Sequence, residues 1–430
     1  MRSTRKLSLV LLAPLTLACG GDGGDGGDWT GTITDSASVA IVSNPGSGVW
    51  GPEEGWTLEE ELRIGAVEGE PDYQFGEVGG IAVDSRGRIY VLDRQAQRIQ
   101  VYSPQGEYEL TIGGPGGGPG ELGQMMGGGA GGGGIYVAAG DTLLALDMAN
   151  QRVNLYGPGG SSLGSFRLSL ENGMPVRFDA TSSGAIAEQL RPLSLPGREA
   201  PANPTDVIVR LGASGEVMDT LLQFPSGETL KFGRGGLPEI TFFSAEPMWA
   251  LTDDLELVFG LNDRYRISVY SSDSELERVI TREVERQPVT ETDEKALLSW
   301  MERTWNRVGV PSQVVAQLRD RVTFKEYFPA FASISMGPAG TIWVRHVLPP
   351  SALSAEELET YDPTLDAGAR DWDVFDEEGR YLGVVSMPER FAPHLIQGEK
   401  LYGVQRDELG VQYAVRLRLL RPGAERSPTD

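Results

Sequence analysis

The sequence predicts an all-β protein: a six-bladed β-propeller of four-stranded antiparallel blades, sealed by a strand from the amino end. Three observations lead there. The segment "LDRQAQRIQVYSPQGEYELTIGG" beginning at Leu92 is respelled as "LDMANQRVNLYGPGGSSLGSF" from Leu146. Within each copy, apolar and polar residues alternate in short runs split by Gly and Pro turns, the period of half-buried strands. Near Glu61, "ELRIGAVEGEP" has the spacing of "ELTIGGPGGGP" at Glu109, so an outer strand stands ahead of the first blade without a blade of its own.

The blades follow in order. In the first, Ile81 and Val83 alternate with polar neighbours, "DSRG" turns the chain, and Ile89 and Val91 resume the alternation. "QRIQVYSPQGEYELTIGG" adds two strands about the Ser103-Pro104-Gln105-Gly106 turn. Four antiparallel strands in about forty residues make one blade. Blade two is "GGIYVAAGDTLLALDMANQRVNLYGPGGSSLGSFRL", and blade three the weaker "RFDATSSGAIAEQL" with "DVIVRLGASGEVMDTLLQF". Blade four is "MWALTDDLELVFGLNDRYRISVYSSDSELERVI", and blade five joins "ISMGPAGTIWVRHV" to "WDVFDEEGRYLGVV". The sixth unit, "HLIQGEKLYGVQRDELGVQYAVRLRLL", has room for only three strands before Arg421. The orphan strand at 62–64 is expected to complete it, which leaves no exposed sheet edge at the seam. The propeller is placed at 36–425, with 426–430 a disordered tail. Ile99 and Val101 are expected to pack against the next sheet. Asp93 is expected to close its strand with a side-chain turn that Arg98 can reach across the hairpin.

One segment breaks the pattern, at about 290–327 between blades four and five. Leu297, Trp300, Met301, Thr304, Trp305 and Val308 recur at helical steps, and Thr290 with Asp293 has capping-box spacing. Gly309 and Pro311 end this helix, and Val314, Val315, Leu318 and Val322 predict a second. The two tryptophans are expected to pack onto the flank or face of the propeller.

The amino end is of another kind. Arg2, Arg5 and Lys6 lead into "LSLVLLAPLTLA", an apolar run too short to span a bilayer permanently, which ends at Ala18 and Cys19. Residues 1–18 resemble a bacterial lipoprotein signal peptide, with Thr16 where Leu or Val is usual. The resemblance implies cleavage before Cys19 and a lipid on its thiol. Gly20, where Asp would retain such a protein at the inner membrane, implies the outer membrane or surface of a Gram-negative cell. "GGDGGDGGD" opens a flexible tether at 19–35. A net charge of −24 argues against nucleic acid and anionic lipid faces, so the membrane is met through the lipid only. Cys19 is the single cysteine, which excludes a disulfide framework and thiolate metal sites, and only His346 and His394 supply imidazoles.

The run "GEPDYQFGEVGGIAVDSRGRIYVLDRQAQRIQVY" resembles the NHL-repeat six-bladed propellers, and the chain is similar to uncharacterised lipoprotein propellers of environmental bacteria. In such propellers ligands sit over the central channel, on the face made by interblade loops and by loops between second and third strands. "GEPDYQFGEVGG" and "GPGGGPGELGQMMGGGAGGGG" are such loops. The second, with Met125 and Met126, lacks the Lys-Ser/Thr and helix start of a phosphate cradle, and reads as a rim loop.

Tyr73, Phe75, Glu77, Asn262 and Asp263 are the candidate binding residues of this face. Three functions follow from the resemblance. One is a non-catalytic scaffold for a peptide, glycan or partner protein, with no catalytic residue and no cofactor. The alternative is a calcium-dependent hydrolase or lactonase of the gluconolactonase and strictosidine-synthase-like kind. Glu77, Asn262 and Asp263 would then hold a hard cation, although the family's opening Glu-Gly-Pro is absent. A zinc lyase like the amidating NHL enzymes needs several channel histidines, and this chain has two. The scaffold is the expected function.

Overall fold

The computed structural model describes residues 28–51, 54–123, 134–168, 173–192, 204–227, 230–232, 238–363 and 368–422. The signal peptide, Cys19, the tether to residue 27, Met125 and Met126, and the tail at 426–430 lie outside them. The described chain forms six radial sheets whose inner, second, third and outer strands run antiparallel. In blade one these are Val78–Val83, Ile89–Asp93, Arg98–Tyr102 and Tyr108–Ile112. The inner strands of blades two to six are Ile135–Ala138, Met174–Ala180, Pro247–Leu251, Ser333–Met336 and Phe391–Gln397.

The strands exist because both faces of each sheet are buried against neighbours. Ile89 and Val91 face blade six, in a cluster with Tyr402 and Val404. Ile99 and Val101, both fully buried, face blade two and meet Leu122, Ile135, Leu143 and Tyr156, as their alternation requires. At about 25 cal/mol per Å² of apolar surface removed from water, these interblade layers dominate the folding energy.

The ring closes as expected. Thr57–Ile64 pairs antiparallel with Gln412–Leu420, setting Ile64 against Ala414 and Leu62 against Arg416. Ile64 is buried in the cluster that joins blades six and one.

Upstream of this strand the structure departs from the expected tether. Thr32–Ser36 and Val39–Asn44 form a hairpin, and its second strand pairs in parallel with the outer strand of blade four, Leu276–Arg282. Asn44 is buried at the hairpin's end. Its amide donates to Gly379 O (2.9 Å) and Thr281 O (3.2 Å), and its oxygen accepts from Tyr381 N (2.7 Å). Trp50 N then donates to Leu382 O (2.8 Å) of blade five before the chain enters blade six. The amino-terminal segment therefore belts the outer edges of blades four, five and six. A short polar run with two strands' worth of alternation carries too weak a signal to betray this.

Candidate functional site

Because the strands alternate in direction, interblade loops and second-to-third-strand loops emerge on one face, and hydrogen bonds lock them together there. Asp93 is the blade-one clasp. Its Oδ1 accepts the backbone N–H of Gln95 (3.1 Å), Ala96 (3.1 Å) and Glu77 (3.2 Å), and its Oδ2 that of Gly76 (3.1 Å). This is the expected side-chain turn. Arg98 does not join it: its guanidinium donates to Pro71 O (2.9 Å) and Gln74 O (3.3 Å), because Asp93 is already saturated by backbone donors. In blade two the expected pairing does form, between Arg152 Nε and Asp147 Oδ2 at 3.2 Å.

The five candidate residues do not converge. Tyr73 and Phe75 turn away from the channel onto Tyr102, at ring separations of 5.7 and 6.2 Å, and the Tyr73 hydroxyl accepts Tyr108 N at 2.9 Å. Asn262 is blade four's counterpart of Asp93. It is 2% exposed, its oxygen takes Glu246 N (2.7 Å), and its amide donates to Phe331 O (2.8 Å). Both ends of that amide are thus committed to joining loops. Asp263 is exposed beside Arg264. Glu77 is half exposed, 4.0 Å from Arg94 Nη1. Among the described residues no group of three or more His, Cys, Asp or Glu is placed to hold a metal ion.

Sequence reading missed what lines the channel. Gly79 occupies a bulge in the blade-one inner strand, and Arg94 fills the space where a Cβ would stand. His394 occupies a bulge in the blade-six inner strand, between Pro393 and Leu395. Extra residues of this kind re-aim side chains. His394 is an exposed residue, but crowding of its ring by the surrounding wall and then the charges of Arg94 and Arg406 push the imidazole down to about 4. It is neutral at physiological pH.

Further round the ring, Arg177 lies near Asp179 and 4.8 Å over the Trp249 ring. Burial lowers the Arg177 guanidinium and raises the Asp179 carboxyl. Tyr136, whose hydroxyl donates to Phe178 O at 2.6 Å, spans the gap between blades two and three. Gly79 within "GGIAVD" gave no distinct signal of the intrusion of Arg94, since blade two also spells Gly-Gly before its inner strand.

The other histidine has a structural duty. His346 Nε2 lies 2.9 Å from Asp373, a buried carboxylate that also accepts Tyr265 Oη (2.6 Å), Arg282 Nη1 (2.7 Å) and Tyr381 Oη (2.9 Å). Burial alone would raise that carboxyl, but His346, Arg282 and Tyr265 hold it below the usual range.

The helical insertion lies on the loop face. Its helices are Glu291–Arg307 and Ser312–Arg319. The capping box forms: Asp293 Oδ2 accepts Thr290 N (2.8 Å) and Thr290 Oγ1 (2.6 Å). Leu297 and Met301 are buried as the helical spacing requires, but Val308 is 70% exposed, because the helix stops at Arg307 and Gly309 takes φ +76°.

Two further insertions complete a cap that the sequence did not reveal. Pro238–Phe242, between blades three and four, pairs in parallel with Val322–Phe324. A third helix, Ala355–Thr360, lies between the second and third strands of blade five. Leu297 and Ala296 pack with Tyr361, Trp300, Phe242 and Phe324 into a small separate core.

The chain is a six-bladed β-propeller, and comparisons agree. Residues 66–127 match the profile of a family described as "6-bladed beta-propeller". No curated protein matches in sequence. A solved Bacteroides vulgatus structure is similar at 9% identity and TM-score 0.50, covering 86% of this chain and 99% of its own. A Bacteroides fragilis structure is similar at 11% and 0.48, covering 89% and 100%. A Xanthomonas campestris gluconolactonase is similar at 12% and 0.38, covering 84% and 99%. Such likenesses show the fold alone.

Proposed function

We propose that the protein is a non-catalytic binding module, held in the cell envelope by a lipid on Cys19, whose channel mouth takes an acidic end of a peptide or glycan. One observation carries the reading. In a chain of net charge −24, the positive fields of Arg94 and Arg406 both fall on His394 in the inner strand of blade six, and among the described residues Arg406 pairs with no carboxylate. Glu77, at 4.0 Å and half exposed, holds Arg94 only loosely. Cations enclosed by low-dielectric walls focus field on an entering anion, and Arg offers a bidentate fork for carboxylate. Asn262 is spent within its turn, so the oxygen set of a calcium hydrolase draws no support from the geometry.

The test is calorimetric titration with N-acetyl-tetraglutamate against N-acetyl-tetraglutamine. Binding of the acidic peptide that weakens with salt and is lost in Arg94→Ala and Arg406→Ala is the expected result. Equal affinity for both peptides, or none for either, overturns the reading. The anchor is tested separately: Cys19→Ser expressed in cells should move from the membrane to the soluble fraction.

A further inference from the structure

A second site lies away from the channel, between blades two and three. The residue two places into the second strand is Val91 in blade one, Phe259 in blade four and Val344 in blade five, each buried against the preceding blade. The same register position in blade three, opposite Phe178, is Glu188. Its neighbours along that face, Ile186 and Leu190, belong to an apolar cluster with Leu144, Val153 and Phe166.

Glu188 is 3% exposed and its Oε1 has no hydrogen-bond partner. A carboxyl in such a layer is costly unless something satisfies it. It lines a cavity of about 140 Å³ walled by Leu168, Leu190, Leu211 and Val217, with Glu216 at the exposed edge. Among the described residues, no Lys, Arg or His lines it. Of these, Glu216 is the only other titratable group, and the hydrogen bond from Ser214 Oγ (2.6 Å) holds its carboxyl below the usual range.

We propose that this cavity binds a primary alkylammonium group, its charge on Glu188 and its short chain against the leucines. The space suits it, since apolar cavities of about 150 Å³ admit a ligand as large as benzene. Water would serve poorly, because an ordered molecule needs two to four polar partners and the walls are mostly aliphatic. The two carboxylates with no cation select a positive ligand. Burial raises Glu188 to about 7, so ionisation and binding are coupled near neutrality.

The experiment is a titration of the folded chain with n-butylammonium, followed by amide shifts of Leu190 and Val217. Saturable binding is expected, about tenfold tighter at pH 8 than at pH 6, as the ionised fraction of a group titrating near 7 dictates. Glu188→Gln, close in shape, should abolish it while the melting curve stays cooperative. The uncharged isostere 1-butanol should bind at least tenfold more weakly. The proposal is overturned if butanol binds as well as the amine, if affinity ignores pH, or if folded Glu188→Gln retains it. A parallel titration with Nα-acetyl-lysine methylamide decides the source: binding there extends the site to lysine side chains of a partner, and its failure beside success with butylammonium assigns it to free amines.

Discussion

Gly79 makes room for Arg94: a Cβ on the glycine would overlap Cγ, Cδ and Nε of the arginine. The bulge at Gly79 and the missing side chain together let a residue from the end of the second strand lie across the inner strand.

Gly79→Val is therefore expected to expel Arg94. Tetraglutamate affinity should fall about tenfold or more, as for loss of one charge-assisted hydrogen bond. Overpacking should also lower stability by about 1–3 kcal/mol. Calorimetry beside a thermal melt checks both, and undiminished affinity in a folded variant would detach Arg94 from the ligand.

His394 predicts a pH dependence. Its folded value, about 4, lies below the ordinary 6.5, so between those values the unfolded chain binds a proton that the folded chain refuses. Stability should drop as pH falls through that window. His394→Gln does not titrate and should show a shallower slope between pH 7 and pH 4.5 in urea midpoints. Parallel slopes for the two proteins would mean that the imidazole is not enclosed.

Asp293 is fully buried and serves two masters: besides capping its helix it accepts Ser351 N at 2.7 Å from the blade-five insertion. Asp293→Ala removes a cap worth about 0.5–2 kcal/mol and leaves the Ser351 N–H without its acceptor. Hydrogen exchange should show faster exchange over 291–319 and 350–361 with the blades unchanged. Uniform acceleration throughout would deny the cap its own core.

Glu188 opposes stability near neutrality. Its folded value is raised from 4.5 to about 7, so whatever it contributes is present below pH 4.5 and is lost as pH rises through 7. Glu188→Leu should then stabilise the protein by about 3 kcal/mol at pH 8, and by much less at pH 4.5. Guanidinium unfolding at the two pH values measures this, and an equal gain at both would attribute it to packing alone.

Much of the ring was legible because each blade solves the same packing problem and so repeats the same letters. Ile99, Val101 and the Asp93 turn were readable from one blade. The closing strand was readable because Glu61-Leu62 copies Glu109-Leu110. The site was far less legible. Tyr73 and Phe75 carry the aromatic surface of a binding loop, yet their rings satisfy the core beneath it. Asn262 looked like a ligand because an amide at a turn is equally a clasp, and only its partners distinguish the two.

By itself, then, the sequence determined the sheet type, the number of blades, the seam and the first helix with its cap, since each depends on neighbours within a few dozen residues or on a repeated spacing. Tertiary structure alone decided that three distant insertions share one apolar core, that an amino-terminal hairpin belts blade four, and that the charges of Arg94 and Arg406 both act on His394. Those outcomes depend on which side chain a bulge turns inward and which surface is left uncovered. Neither leaves a period in the chain.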